Sequence, residues 1–139
     1  METFAVIEDS DSQVQWGYVR LDDVRTVVNG YELWKDASWY HEVDWRRVSS
    51  TLDQTLRVHG PPSSFDAVWD QLEPMAEEMS PTNQFGLASL LMEPVTVTRT
   101  SLTNGGHRLA AMLRQGVKGV PAMLHRWDIG QTLRPEDVY

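Results

Sequence analysis

The sequence predicts an α+β domain in which a small mixed sheet, with a β-hairpin and a βαβ unit, packs against several helices. Two observations predict this fold class. In the first half of the chain, apolar residues recur at spacings of three and four, which is typical of amphipathic helices. In the second half, residues 94–98 alternate valine and threonine, and a glycine-rich break precedes a further helical pattern.

Size and composition predict one domain over residues 1–139, with a tryptophan-rich helical embellishment at about residues 30–80. No segment approaches the roughly 20 apolar residues that span a bilayer. The acidic start METFAVIEDSDS also lacks the basic region of a secretory signal. We therefore expect a cytoplasmic protein without membrane contact.

The charge balance and the absence of cysteine restrict the function classes. Twelve basic against twenty acidic side chains give a formal net charge of −8, which disfavours general binding of duplex DNA by this chain alone. A small anion needs only a local cluster of donors. Without cysteine, disulfides, thiolate nucleophiles and Cys-based zinc sites are excluded.

A strand and a turn are predicted near the start of the chain. Residues 18–21 alternate between polar and apolar side chains, as a half-buried strand does. Asp22 and Asp23 follow and can cap a helical turn over residues 24–28.

Two amphipathic helices come next. Asp44 is expected to cap a helix that runs to His59, where Gly-Pro-Pro ends it. Ser63 or Ser64 is expected to start the second helix. Pro74 should kink or divide that helix, because proline lacks a backbone donor and clashes with the preceding turn.

A β-hairpin and a βαβ unit are predicted in the second half. Residues 94–98 and 101–103 form the two strands of the hairpin. A helix over residues 107–115 follows, Gly116 ends it, and residues 117–124 form the next strand. That strand is expected to return parallel beside the strand that precedes the glycine-rich break.

Two segments have weaker patterns. Residues 83–92 are ambiguous, with a short helix around residues 87–92 as one interpretation. The tail over residues 127–139 is polar and is expected to pack loosely.

The glycine-rich break predicts an anion site. Adjacent glycines permit left-handed backbone angles and a close approach of a ligand to the main chain. The N–H groups and the dipole of the following helix attract an anion, the dipole by about 0.3–1 kcal/mol, and an arginine can bond two phosphate oxygens. A purely structural turn between strand and helix is the alternative. The predicted nucleotide- or phosphate-binding residues are Thr103, Asn104, Gly105, Gly106, His107 and Arg108.

The run of residues 94–124, PVTVTRTSLTNGGHRLAAMLRQGVKGVPAML, resembles the core of the ParB/sulfiredoxin superfamily. Members of that family show a Pro-initiated strand, a second strand ending in a D-G-x-H-R or G-E-R-R type motif, an Ala-rich helix, a glycine and a Val-Pro strand. The similarity covers about 30 of the 139 residues. It implies a ParB/sulfiredoxin-like fold.

The resemblance also implies a ligand. In the family this loop and helix hold nucleotide phosphates, CTP in ParB and ATP in sulfiredoxin and the free-serine kinases. Asn104 stands where many members have aspartate, Gly105 matches the motif glycine, Gly106 takes the variable place, and His107 with Arg108 match its end. The implied cofactor is ATP or CTP with Mg²⁺, and the implied enzyme class is a hydrolase or phosphotransferase of nucleoside triphosphates.

The chain also departs from the family pattern. Sulfiredoxin's catalytic cysteine would fall at Gly106, so that activity is excluded. ParB's arginine-rich box and its downstream domains have no counterpart here, so chromosome segregation is not expected. Asn104 removes a carboxylate that could hold Mg²⁺ or accept a proton. Asp22, Asp23 and Glu93 are the candidates for that group.

A second function class is a non-catalytic, protein-binding regulator of the phage or defence-system type that retains the fold. Its surface would be an exposed aromatic patch of Trp34, Trp39 and Trp45, although tryptophans more often pack in a core. A nuclease fits poorly with the acidic charge.

Two further groups of polar residues are candidates for a site. His125 and Arg126 follow the last strand of the βαβ unit and can face the ligand if the strands are parallel. His41, Glu42 and Asp44 lack the spacing of a zinc site, so no metal site is predicted there.

Overall fold

The computed structural model describes residues 14–22, 39–97, 102–125 and 135–139. The predictions on Asp23, residues 24–28, Trp34 and Arg126 lie outside the described residues. Within them the chain is a mixed α+β protein that is mostly helical. Its elements are β1 Val14–Arg20, α1 Trp39–Glu42, α2 Trp45–His59, α3 Phe65–Ala76, α4 Pro81–Met92, β2 Thr96–Val97, β3 Leu102–Asn104, α5 Gly106–Gln115, β4 Gly119–His125 and a 3-10 turn Pro135–Asp137.

The described strands form one sheet in the order β1-β4-β2-β3. β2 and β3 are antiparallel neighbours, so the predicted hairpin is confirmed. The prediction that β4 returns parallel beside β3 is wrong, because β4 pairs in parallel with β2 and antiparallel with β1. β4 is seven residues long and buried between Val120 and Leu124, which suits a central strand bonded on both sides. The three-residue β3 is left at the edge.

Local capping explains where the helices begin and end. The side chain of Asp44 accepts a hydrogen bond from the Arg47 N–H at 3.3 Å, which confirms the predicted start of α2. Ser64 caps α3 in the same way. Pro74 does not divide α3, because it lies in the last turn, where little of the helix remains to be broken. The ambiguous residues 83–92 belong to one helix, α4, which Ser80 caps.

The core lies between the sheet and helices α2 to α5, and Trp45 is part of it. This side chain is fully buried, and its Nε1 donates a hydrogen bond to the Tyr40 carbonyl at 2.7 Å. The expectation that Trp45 contributes to an exposed aromatic patch is therefore wrong. Its position on the apolar face of α2 with Val48 and Leu52 is the physical reason. None of the helices in the described ranges is long and apolar enough to cross a membrane.

The described end of the chain, residues 135–139, is packed on β1, so the expectation of a loose tail is wrong there. Asp137 is only 3% exposed and pairs with Arg20 at 3.1 Å and with Arg57 at 3.6 Å. A buried carboxylate needs such partners. The hydroxyl of Tyr139 donates to Asp53, and burial together with that hydrogen bond raises the pKa of Tyr139.

The packing of α2 predicts the effect of truncating Leu52. We expect Leu52→Ala to lower the free energy of unfolding by roughly 2–5 kcal/mol, because a fully buried side chain leaves a cavity. Val58 lies on the same helix and is 77% exposed, so Val58→Ala should change it by no more than about 0.5 kcal/mol. Urea unfolding of both variants measures the difference. Equal losses would show that α2 does not face the core as described.

Candidate anion site at the glycine turn

Gly105 is the residue on which the glycine turn, residues 104–106, depends. It precedes α5 with φ 100° and ψ 18°, the left-handed region that favours glycine. A Cβ atom at this position would also lie 2.8 Å from Val95 Cγ2 and 3.2 Å from Val95 Cα. Backbone angle and space therefore both require glycine. Gly106 is buried and is the first residue of α5.

The first turn of α5 has no side chain as a cap. Its first bond within the helix runs from the Leu109 N–H to the Gly105 carbonyl at 2.9 Å. The N–H groups of Gly106 and Arg108 precede that bond, and helix geometry gives them no acceptor within the helix. This is the end of a helix that carries partial positive charge.

Arg108 lies in the same turn and is only 5% exposed. Its Nη1 donates to the Ser89 carbonyl at 2.9 Å and approaches Ser89 Oγ at 3.5 Å. Its Nη2 lies 3.3 Å from where a Cβ of Gly105 would stand. The guanidinium thus lies over the glycine turn, and its hydrogen bond to Ser89 fixes it at the last turn of α4.

The charge of Arg108 is not compensated by an ion pair within the described ranges, where no carboxylate oxygen lies within 4.0 Å of its nitrogens. Burial lowers the pKa of Arg108, while Tyr40 and Glu93 act in the opposite direction. An arginine nevertheless stays protonated in proteins, so a cation is held out of water here.

A cavity of about 290 Å³, which we call the glycine-turn cavity, opens beside this cation. The rings of Tyr40 and His107 stack at its wall, with centroids 5.8 Å apart and an interplanar angle of 13°. Phe85, at 63% exposure, lies on its rim. The described residues that line it are Tyr40, Phe85, Ser89, Glu93, Gly105, Gly106, His107 and Arg108.

Four of the six sequence-predicted residues meet in this cavity: Gly105, Gly106, His107 and Arg108. Thr103 and Asn104 end β3 directly before it, and their side chains lie outside what the structure describes. Of the carboxylates proposed from the sequence, Glu93 lines the cavity, whereas Asp22 is exposed and lies elsewhere. Sequence reasoning missed three lining residues, Tyr40, Phe85 and Ser89. The four-residue spacing of Phe85 and Ser89 places them on one face of α4. That spacing does not indicate which other element this face packs against.

His125 does not belong to this edge of the sheet. Asn104 pairs with Thr96 and Thr96 with Met123, so β3 and β4 run antiparallel. The glycine turn lies at the end of the sheet where β2 begins, next to Val95. β4 continues past Met123 toward the opposite end of the sheet, where β2 ends. The expectation that His125 follows a strand parallel to β3 is therefore wrong.

Within the described part of the chain, Glu93 is the carboxylate that lines the glycine-turn cavity. Among the described residues, no three or more His, Asp or Glu side chains come together in a group that could hold a metal ion. Mg²⁺ is commonly bound by one or two carboxylates together with substrate phosphates and water. Glu93 could contribute to Mg²⁺ binding in that way, in company with a phosphate-bearing ligand.

Comparison of the chain with models of known protein families, with curated proteins and with solved structures finds no match. The resemblance of residues 94–124 to the ParB/sulfiredoxin superfamily stays a prediction from the sequence. The residues of the glycine-turn cavity are therefore the basis on which function is proposed below.

The geometry of Gly105 predicts an unusually costly alanine substitution. Gly116 is the matched control, because it is also left-handed, with φ 74° and ψ 26°, and the nearest group to its Cβ position is the far end of the flexible Arg46 side chain. Gly116→Ala should lower the free energy of unfolding by about 1–2 kcal/mol, the backbone cost alone. Gly105→Ala should lose roughly 2–5 kcal/mol, because overpacking against Val95 is added. Similar losses in urea unfolding would refute the close approach of Val95.

Proposed function

We propose that this protein binds a phosphate-bearing small molecule, a nucleotide, in the glycine-turn cavity. The observation that carries the proposal is the buried Arg108 cation, which lines the cavity without an ion pair in the described structure. An unpaired charge held out of water costs several kcal/mol. A bound anion offsets that cost.

Two kinds of donor in the cavity fit a phosphate group. Arg108 uses Nη1 for Ser89, which leaves its other N–H donors available to oxygens of a ligand. The first turn of α5 adds main-chain N–H groups and the positive end of the helix dipole. The Arg108 side chain and the main-chain N–H groups of Gly106 and Arg108 belong to the same helical turn, so they can act on the same phosphate.

The size and the walls of the cavity favour a nucleotide over a bare phosphate ion. Its volume of about 290 Å³ is at the lower end of the range of small-molecule sites, roughly 300–1,000 Å³. Phosphates would therefore lie inside and the base at the mouth. The exposed Phe85 ring at the rim and the stacked Tyr40 and His107 rings provide aromatic surface there.

The role of Glu93 determines which reactions of a bound nucleotide the site can support. Phosphoryl transfer or hydrolysis needs a carboxylate that holds Mg²⁺ or accepts a proton, and Glu93 is the carboxylate that lines the cavity. We assign Glu93 the role of Mg²⁺ ligand for ATP or CTP. With asparagine at position 104 instead of the family's aspartate, the site is better equipped for binding than for proton abstraction.

The alternative function, a protein-binding regulator that uses a tryptophan patch, has less support. One of the three side chains of that patch, Trp45, is fully buried. A stable protein complex that survives loss of Arg108 would favour this alternative.

Removing the Arg108 charge tests nucleotide binding. We expect isothermal titration with ATP, CTP and GTP in Mg²⁺ to detect at least one ligand. Arg108→Gln should weaken that ligand about tenfold or more, since charged hydrogen bonds contribute about 1.5–3 kcal/mol. Arg114→Gln, an exposed position on the same helix, should leave the affinity unchanged.

A loss of stability must be kept apart from a loss of binding, because Arg108 also bonds to Ser89. The titrations are therefore run well below the melting temperature of each variant, and Arg108→Lys retains the charge without the forked donors. It should keep part of the affinity. No binding of any nucleotide by the wild type, or equal affinity in Arg108→Gln, would overturn the proposal.

Replacing Glu93 tests its role as the Mg²⁺ ligand. In EDTA, Glu93→Gln should bind the nucleotide about fivefold more tightly, because a like charge worth about 1 kcal/mol is removed. In Mg²⁺ the variant should lose the gain that the metal gives the wild type. Glu73→Gln, an exposed position on α3, is the control. An unchanged response to Mg²⁺ in Glu93→Gln would exclude Glu93 as its ligand.

A further inference from the structure

A second cavity lies at the other end of α5, between α2 and the start of β4, and we call it the α2–β4 cavity. Its volume is about 440 Å³, and its lining includes Tyr18, Arg46, Asp53 and Lys118. α5 has ten residues, and a helix of that length spans about 15 Å. The two cavities are therefore separate sites.

The lining contains two cations, Arg46 and Lys118. Among residues 14–22, 39–97, 102–125 and 135–139, no carboxylate forms an ion pair with the side chain of Arg46 or Lys118. The Arg46 guanidinium lies over Gly116, where a Cβ would be 2.9 Å from Nη2. Gly116 has φ +74°, so the glycine that ends α5 also gives Arg46 its place at the cavity.

The carboxylate in the lining is already neutralised by the protein. Asp53 accepts a hydrogen bond from the Tyr139 hydroxyl and pairs with Arg57 at 3.0 Å. Its charge is therefore committed to the packing of α2 against residues 135–139. Asp53 therefore does not neutralise Arg46 and Lys118, and the cavity lining is locally positive although the whole chain carries a formal charge of −8.

Neutral groups complete the cavity wall. A Cβ at Gly119 would overlap the hydroxyl end of the Tyr18 ring, so that end of the ring lies directly against the start of β4 and forms part of the wall. The Ser49 hydroxyl is used, because it donates to the Gly119 carbonyl at 2.6 Å. The Ser50 hydroxyl oxygen accepts a hydrogen bond from Gln54 Nε2 at 3.5 Å. The hydroxyl proton of Ser50 is therefore left for an acceptor in the cavity.

We propose that the α2–β4 cavity binds a second phosphate-bearing small molecule between Arg46 and Lys118. Arginine offers a planar fork and lysine a compact point charge, and two cations on different elements suit a multivalent anion better than a single carboxylate. The volume of about 440 Å³ lies within the usual range of such sites.

The test is a titration of ¹⁵N-labelled protein with pyrophosphate, followed through backbone amide resonances. We expect Gly116 and Gly119 to shift along one saturation curve and Gly105 and Gly106 along another. Arg46→Gln and Lys118→Gln should each weaken the curve at Gly116 and Gly119 about tenfold, as expected for loss of a charged hydrogen bond. Both side chains are exposed, so the fold should tolerate these changes.

Two controls keep this proposal separate from the one on the glycine-turn cavity. Arg47→Gln changes the same charge at the neighbouring exposed position of α2, outside the cavity lining, and should leave both curves unchanged. Arg108→Gln should affect only Gly105 and Gly106. Unshifted resonances at Gly116 and Gly119, or shifts that persist equally in Arg46→Gln and Lys118→Gln, would overturn the second site whatever happens at the first.

Discussion

The guanidinium of Arg108 joins the first turn of α5 to the last turn of α4. Its Nη1 bonds to the Ser89 carbonyl at 2.9 Å, an oxygen that also accepts the N–H of Glu93 at 3.0 Å. The negative end of the α4 dipole thus faces a cation, and that contact holds the two helices at the spacing that leaves the glycine-turn cavity open. Because helix dipole and carbonyl supply only partial charges, the contact orders α5 without neutralising the arginine.

The two ends of α5 carry opposite partial charges, so the two cavities obtain their positive charge from different groups. At the N-terminal end, main-chain donors and the helix dipole favour an anion directly. At the C-terminal end the dipole is unfavourable for an anion, and the carbonyls of Met112 and Leu113 are already bonded to Val117 and Gly116. There the positive charge comes from side chains on other elements, Arg46 on α2 and Lys118 before β4.

The sequence allowed prediction of those features that depend on interactions between residues close together in the chain. Asp44, Ser64 and Gly116 mark helix ends because capping is a local interaction. The glycine turn before α5 could be placed because its residues are contiguous in the sequence. The cavity wall was not predictable, since Tyr40 and Ser89 reach Arg108 only through the packing of α1 and α4 on α5. Strand order was missed for a similar reason: the long apolar β4 takes the central place beside β2, which no local pattern encodes.

A crystal structure of the protein grown with a saturating nucleotide and Mg²⁺ tests the central claim most directly, which is that the buried Arg108 charge receives an anion. The account predicts phosphate oxygens about 2.7–2.9 Å from Arg108 Nη2 and within hydrogen-bond distance of the main-chain N–H groups of Gly106 and Arg108. A nucleotide bound elsewhere, with Arg108 turned instead onto the Glu93 carboxylate, would contradict it.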